Sequence, residues 1–420
     1  MKHFGVASLS ELSLDDEPAA VSVLGAVMDY LRSVQKSELE NIRSIDFYGD
    51  SSFMRLDVSA MRNLEITETM RNREKRGSLL WVLDKTKTSM GKRMLRTWLE
   101  QPLIGIAGIT KRHNAVSELC EDPVLRGDLI DSLTGCQDME RLITRIAYAT
   151  ANARELKALS ATLCRMPAIK SRLEGCKSAL LGELCSGIMP LEDTVAMIEN
   201  AIVDEPPFSV REGGMVKDGF NEELDSLRDI VNNGKGYIAD IQLREQEKTG
   251  IKKLKIGYNR VFGYYIEVSN SFKELVPDDY IRKQTLANCE RYITEELKEL
   301  EAKILGAQDK LCSLEYELFC EIRGFVAENN ERIRKTAADM SKIDVYLSLA
   351  TLAVRNKYVR PEVDQSDVIY IKDGRHPVVE QFVKDSYFVP NDTMLDTGGN
   401  RTMLITGPNM AGKSTYMRQV

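Results

Sequence analysis

The sequence has few of the residues that build metal centres. Its 420 residues include three histidines, and none of its eight cysteines falls in a C-x-x-C pair. That argues against a zinc site. Cys120, Cys136, Cys164, Cys176, Cys185, Cys289, Cys312 and Cys320 read instead as reduced thiols of a cytoplasmic protein. The segment Met1–Leu14 lacks the apolar core of a signal peptide, and no apolar run reaches the length of a membrane span, so no membrane partner is expected. Positive charge is not in excess either. A net charge of −7 argues against a nucleic-acid binder that is basic all over, while allowing a local basic patch. What is present, 43% hydrophobic and 29% charged residues, describes a soluble globular chain with material for two to four domains.

Breaks are scarce over the first half. A polar link (Glu11, Asp15, Asp16, Glu17, Pro18) precedes an apolar helix at Val21–Leu31. From there to about residue 200, apolar residues return every three or four positions, as in Leu79, Leu80, Leu83 and Met94, Leu95, Leu99. Glu205-Pro206-Pro207 and Gly213-Gly214 mark a break. Beyond it, Phe220, Leu224, Leu227, Val231, Gly234, Ile238 and Ile241 are spaced alternately four and three apart. A second seam of the same spacing runs through Ile293, Leu297, Leu300, Ile304, Ala307, Leu311, Leu314 and Leu318. This period predicts two helices that wrap around each other, antiparallel because the chain must go out and return. The second seam covers about 26 residues, roughly 40 Å of helix. Two ordinary long core helices are the alternative for the same spacing.

Between the seams lies a compact, strand-like segment, Ile251–Arg291. Ile251–Ile256 reads as a half-exposed strand and Tyr264–Val268 as its partner, joined through Asn259–Gly263. Lys252, Lys253, Lys255 and Arg260 fall within residues 251–265 with no acidic residue among them. Arg282, Lys283 and Arg291 extend the run of basic residues, and Tyr258, Asn259, Tyr264, Tyr265 and Asn288 add hydrogen-bonding groups. A small basic β-module at the tip of a helical arm suits contact with a phosphate backbone, without reading base sequence. A solvated strand face is the plainer reading of the same composition.

The chain is helical again from Glu328 to about Val359, and its texture changes at Pro361. Asp367–Ile371 reads as a strand, Gly374-Arg375-His376-Pro377 as a turn, and Thr402–Thr406 as a further strand. Gly407-Pro408-Asn409-Met410-Ala411-Gly412-Lys413-Ser414-Thr415 follows directly, a G-x-x-x-x-G-K-S-T phosphate loop with a helix start behind it. Glycines there let backbone N–H groups surround phosphate oxygens, Lys413 reaches the β/γ-phosphates of ATP, and the Ser414 hydroxyl can hold Mg2+.

In order and in local residues the chain resembles the MutS family of bacterial DNA mismatch-repair ATPases. The likeness rests on Thr88–Arg96 (TSMGKRMLR), Trp98–Leu103 (WLEQPL), Gly257–Val268 (GYNRVFGYYIEV), Pro277–Leu286 (PDDYIRKQTL), Glu290–Thr294 (ERYIT), Gly374–Pro377 (GRHP) and Thr406–Thr415 (TGPNMAGKST). The resemblance implies a mainly α multidomain fold: a helical core with long lever helices, an inserted small β-rich clamp, and the truncated start of an α/β P-loop ATPase domain of ABC type. It implies a connector remnant at 1–20, core and lever helices at 21–225, a clamp with its coiled-coil arm at 226–311, a lever return at 312–358, and the N-terminal part of the ATPase domain at 359–420. It also implies a homodimer on double-stranded DNA with mismatches, ATP and Mg2+ as cofactors, and conversion to a sliding clamp that recruits the downstream repair protein MutL. Carried over by position, Gly407 to Thr415 hold the nucleotide, with Asn409 near the γ-phosphate, Ser414 on the metal and Phe388 against the adenine. Lys253, Lys255, Asn259, Arg260, Arg282, Lys283 and Arg291 are the DNA-backbone candidates. His376 carries no catalytic role and reads as a satisfied turn histidine.

The chain departs from that family pattern at both ends. The mismatch-reading domain with its Phe-x-Glu wedge is not found. Phe220-Asn221-Glu222, Phe272-Lys273-Glu274 and Phe319-Cys320-Glu321 match the pattern only by coincidence, since all lie in the arm or clamp. Walker B carboxylates and the ABC-type signature are expected beyond Val420. Other readings stay open: a structural DNA-binding module without turnover, a recombination paralogue (a class that generally lacks the clamp), or a chromosome-organising ATPase, whose arm is normally far longer. From the sequence the expected outcome is no ATP turnover by residues 1–420 alone, checked by phosphate release from the purified chain.

Overall fold

The computed structural model describes every residue except 1–2, 13, 16, 36–38, 40–41, 43–44, 46–52, 211–212, 260–262, 384–387 and 410. The expectations for Arg260 and Met410 therefore lie outside the described residues. The chain is mostly helical, with two small antiparallel sheets. It divides into two compact units, one of Met1–Leu83, Leu95–Asn114 and Val359–Val420, the other of Asp84–Met94 and Ala115–Tyr358. No helix among the described residues is long and apolar enough to cross a membrane.

The second unit is built on the helix Asn330–Asn356, which is buried over most of its length. Pro123–Leu133, Met139–Ala147 and Ala179–Gly187 pack against it. The first two begin where Asp122 and Asp138 take up free N–H groups, and Asn152 with Glu155 does the same in a capping box for Ala153–Leu163. The buried helix also carries carboxylates. Asp344 is 1% exposed and accepts from the Lys87 N–H (2.8 Å), the Thr88 N–H (2.8 Å) and the Thr88 hydroxyl (2.7 Å). Burial pushes its carboxyl above the ordinary value, and those donors pull it back. Gly91 makes this approach possible, because a Cβ there would stand 2.2 Å from Asp344 Oδ2.

The arm follows the spacing of the sequence. Asn221 caps the outgoing helix Glu222–Thr249 and Thr294 caps the returning helix Glu295–Glu328, each accepting an N–H three residues on. Leu224 near the start of the first packs with Leu311 and Leu318 late in the second, while Arg244 near the end of the first pairs with Glu296 at the start of the second (2.5 Å). The pair is therefore antiparallel. Two seam residues fall outside the helices: Phe220 precedes the Asn221 cap, and Ile293 ends a strand.

At the base of the arm, Glu315 is fully buried. Its carboxylate accepts from the N–H groups of Gly214 (2.7 Å), Met215 (2.8 Å) and Val216 (2.8 Å), and from the Arg228 guanidinium of the outgoing helix (3.1 Å). Gly213 and Gly214 turn the chain toward it with φ of +73° and +75°, a region open to glycine at little cost.

Between the arm helices lies a four-stranded sheet in the order β1-β2-β4-β3, with β1 Lys255–Asn259, β2 Gly263–Ser269, β3 Ile281–Thr285 and β4 Cys289–Ile293. The strand expected from Ile251 starts later. The Leu254 N–H donates to the Ile251 carbonyl (3.0 Å) and the Leu254 carbonyl accepts from Gln246 (2.7 Å), so the backbone groups of Leu254 are spent before pairing begins at Lys255.

In the first unit, β5 (Ile369–Gly374) pairs with β6 (Asn391–Leu395). The run Thr402–Thr406 is not a strand, and Leu404 is 86% exposed. An apolar run becomes a strand only where a neighbour takes its N–H and C=O groups, and no described residue does so here.

Removing the Glu315 carboxylate leaves three backbone donors without their acceptor and takes one partner from the Arg228 guanidinium. Glu315→Ala is expected to cost about 3–5 kcal/mol and Glu315→Gln less. Urea unfolding measures the loss, and hydrogen exchange should locate it in residues 213–231.

Candidate nucleic-acid interface and nucleotide loop

The sheet at the arm tip has one covered face. Ile266, Val268 and Tyr292 pack with Ile251, Leu254, Tyr280 and Leu297, and Ile256 joins them from β1. Polar bonds fasten the module to the end of the outgoing helix. The Ile256 N–H donates to Gln242 Oε1 (2.8 Å), the Tyr280 hydroxyl donates to the buried Glu245 carboxylate (2.7 Å), and Lys248 pairs with Asp279 (2.9 Å). Burial and the bond to Glu245 hold the Tyr280 phenol well above its usual range.

Alternation then puts Lys255 and Gly257 of β1, Tyr265 and Glu267 of β2, and Arg291 of β4 on the opposite, outer face. The register lines up Lys255, Glu267, Arg291 and Gln284 across all four strands. Arg291 is internally engaged. Its Nε faces Glu267 at 3.2 Å, its Nη1 donates to Gln284 Oε1 at 3.1 Å, and its guanidinium lies 4.1 Å over the Tyr265 ring. The ring lies across Gly257, where a Cβ would be 2.8 Å from it.

The remaining candidates are more open. Lys253 lies in the turn before β1, and both it and Lys255 are exposed with no ion pair to a described residue. Lys283 is the extra residue at the register shift between Arg282 and Gln284, and it too is exposed. Arg282 has an exposed side chain 3.7 Å from the buried carboxylate of Glu290. Glu290 also accepts from the Tyr292 hydroxyl (2.5 Å) and pairs with Lys273 (2.9 Å), and these donors lower its carboxyl below the ordinary value. Burial and the same bond push the Tyr292 phenol up to about 12. Asn259 ends β1 opposite Gly263. The structure thus brings Lys253, Lys255, Arg282 and Lys283 to one module, and on its outer face engages Arg291 with Glu267, Gln284 and the Tyr265 ring. Reading by composition did not single out Glu267 and Gly257; their sequence signals are their place in the Gly257–Val268 run and their alternation with the covered residues.

The phosphate-loop residues lie in the other unit. Gly407 and Gly412 have φ of +147° and +85°, and a helix runs from Lys413 to Gln419. The Lys413 ammonium donates back to the loop carbonyls of Gly407 and Pro408, the latter at 2.9 Å. Asn409, Ala411 and Ser414 are exposed, and Phe388 and Thr415 are partly buried. Behind the loop, the Tyr416 hydroxyl bonds Thr393 Oγ1 (2.8 Å), and Arg418 pairs with Glu65 (2.7 Å). His376 Nδ1 accepts from the N–H groups of Val378 (3.2 Å) and Val379 (3.3 Å), closing its own turn. Burial and the nearby Arg418 lower its pKa. Among the described residues no group of His, Cys, Asp and Glu could hold a metal ion.

Comparison with known proteins gives a consistent family. The family model described as MutS domain III matches residues 59–350. The DNA mismatch repair protein MutS of Lachnoclostridium phytofermentans is 50% identical over 418 residues, covering 100% of this chain and 45% of the relative. That of Ruminiclostridium cellulolyticum is 51% identical over 408 residues, 97% of this chain and 47% of the relative. That of Symbiobacterium thermophilum is 49% identical over 418 residues, 100% and 48%. The chain spans about half the length of the curated relatives it matches.

The fastening of the β-module is open to a direct check. Tyr280→Phe strands the Glu245 carboxylate, and a local loss of about 1–3 kcal/mol is expected. Hydrogen exchange should show it in residues 242–293 ahead of the helical body.

Proposed function

The chain belongs to the MutS family, and from that membership we propose that it is the DNA-holding arm and nucleotide-loop portion of a mismatch-repair protein. One observation carries the reading. In a chain of net charge −7, exposed Lys253, Lys255, Arg282 and Lys283 gather on a small β-module between the two arm helices. Ammonium and guanidinium groups displayed in this way neutralise backbone phosphates and release counterions, which gives affinity without sequence preference. The partner is double-stranded DNA, and the mismatch is read elsewhere in the full-length protein. Asn259 and Arg260, next to the β1–β2 connection, belong to the same contact.

Residues Gly407 to Thr415, Met410 included, bind ATP in this proposal. The residue types fit the group. Gly407 and Gly412 already have positive φ, and Lys413 is long enough to exchange the Gly407 and Pro408 carbonyls for phosphate oxygens. Ser414 supplies a hydroxyl for Mg2+ at the first turn of the helix behind it, and Phe388 supplies an apolar ring for the base. Bound nucleotide brings phosphoryl-transfer chemistry to the full-length protein. The loop itself contributes holding and charge compensation. The family's working form, a homodimer that becomes a sliding clamp on ATP exchange and engages MutL, is part of the same proposal.

The test is electrostatic. Replacing Lys253 and Lys255 together by Gln should weaken duplex binding, and the slope of log affinity against log salt should fall by roughly 0.9 for each phosphate that is no longer neutralised. Fluorescence anisotropy across a salt series reads both. An unchanged slope would remove the arm tip from the DNA contact.

A further inference from the structure

We propose that the outer face of the arm-tip sheet is a phosphate-binding platform on which the Tyr265 hydroxyl and the Lys255 ammonium touch the DNA backbone, and that Arg291 is a positioning residue that holds the Tyr265 ring in place. The inference rests on the reading of the arm tip as a DNA-holding surface.

Arg291 has the charge of a phosphate contact and the geometry of a support. Its side chain is 18% exposed, and Glu267 at 3.2 Å offsets its charge. A second donor is spent on Gln284, and the plane of the guanidinium covers the Tyr265 ring at 4.1 Å. Two of its donors are thus already given to neighbours within the sheet. Tyr265 is the reverse case. Its ring is held from two sides, by Arg291 above and by the bare backbone of Gly257, its register partner on β1. Any other residue at position 257 would put a Cβ 2.8 Å from the ring. Its hydroxyl has no hydrogen-bond partner among the described residues. The result is a rigid ring, half-buried, with an unspent donor at its edge.

Lys255 stands on the same face, diagonally across the strand pair from Tyr265, since Lys255 faces Glu267 and Gly257 faces Tyr265. A neutral hydroxyl and a cation so arranged suit neighbouring oxygens of a phosphodiester backbone. The hydroxyl donates a hydrogen bond, and the ammonium adds the charge that releases counterions. The two contributions separate experimentally, because only the second depends on salt.

Binding of the 420-residue chain to a labelled, fully paired duplex, followed by anisotropy over a salt series, tests the assignment. Tyr265→Phe keeps the ring and its packing, and is expected to lose about tenfold in affinity with no change in salt slope. Arg291→Lys keeps the charge but gives up the planar stack and the paired bonds, so a similar loss with an unchanged slope is expected. The double variant should lose much less than the product of the two, because both act through one ring. Lys255→Gln should lower the slope by about 0.9. Wild-type affinity in Tyr265→Phe overturns the proposal. So does wild-type behaviour in Arg291→Lys combined with a slope lowered by about 0.9 in Arg291→Gln, which would make Arg291 the contact. If Lys255→Gln and Tyr265→Phe both bind as wild type with the original slope, the reading of the tip as a DNA surface falls as well.

Discussion

A single carboxylate at the base of the arm sets the direction of everything beyond it. Glu315 has no solvent exposure, and it belongs to the returning helix. Its acceptors are filled by three consecutive N–H groups of residues 214–216 and by Arg228 of the outgoing helix. A buried charge is tolerated only when its bonding capacity is met, and here four donors meet it. Arg228 also pairs with Asp218 (2.6 Å) and Asp225 (3.4 Å), so the guanidinium is balanced in turn. The two helices and the chain that leads into them therefore share one polar joint. Leu224, Leu311 and Leu318 surround the helices with apolar contact nearby and keep water from competing.

That joint matters for function because the residues proposed to meet DNA lie at the far end of the pair. Two helices in antiparallel contact are stiff along their length, and the tip is tied to them by backbone and side-chain bonds from Gln242, Glu245 and Gln246. Charge is partitioned along the same line. Lys253, Lys255 and Lys283 stay exposed, while Glu267, Glu290 and Glu245 each take a specific partner within the module. Acidic residues among the basic ones thus shape the surface without cancelling it.

The nucleotide loop is held differently. Its lysine is folded onto its own carbonyls, and the short helix behind it is anchored through Tyr416 and Arg418. In the proposal that this loop binds ATP, exchange of carbonyl oxygens for phosphate oxygens at Lys413 is a local change made against the helix Lys413–Gln419.

Much of this organisation was legible in the sequence. The seams Phe220–Ile241 and Ile293–Leu318, whose first residues alone fall outside the helices, and the basic run around Lys253 and Lys255 are relations between near neighbours in the chain. Helical period and local charge depend on such neighbours alone. Other features were not legible. That Arg291 stands beside Glu267 and Gln284 follows from the strand register alone. Thr402–Thr406 had the apolar character of a strand, but no described residue pairs with it. Glu315 finds its acceptor role 101 residues from Gly214, and Asp344 finds its own 256 residues from Thr88. Periodicity and composition therefore determined which segments are helices and which segment is basic. Tertiary structure alone decided which charges are spent and which are displayed, because a charge is neutralised by whatever group stands within a few ångströms of it in space, however far away in the chain.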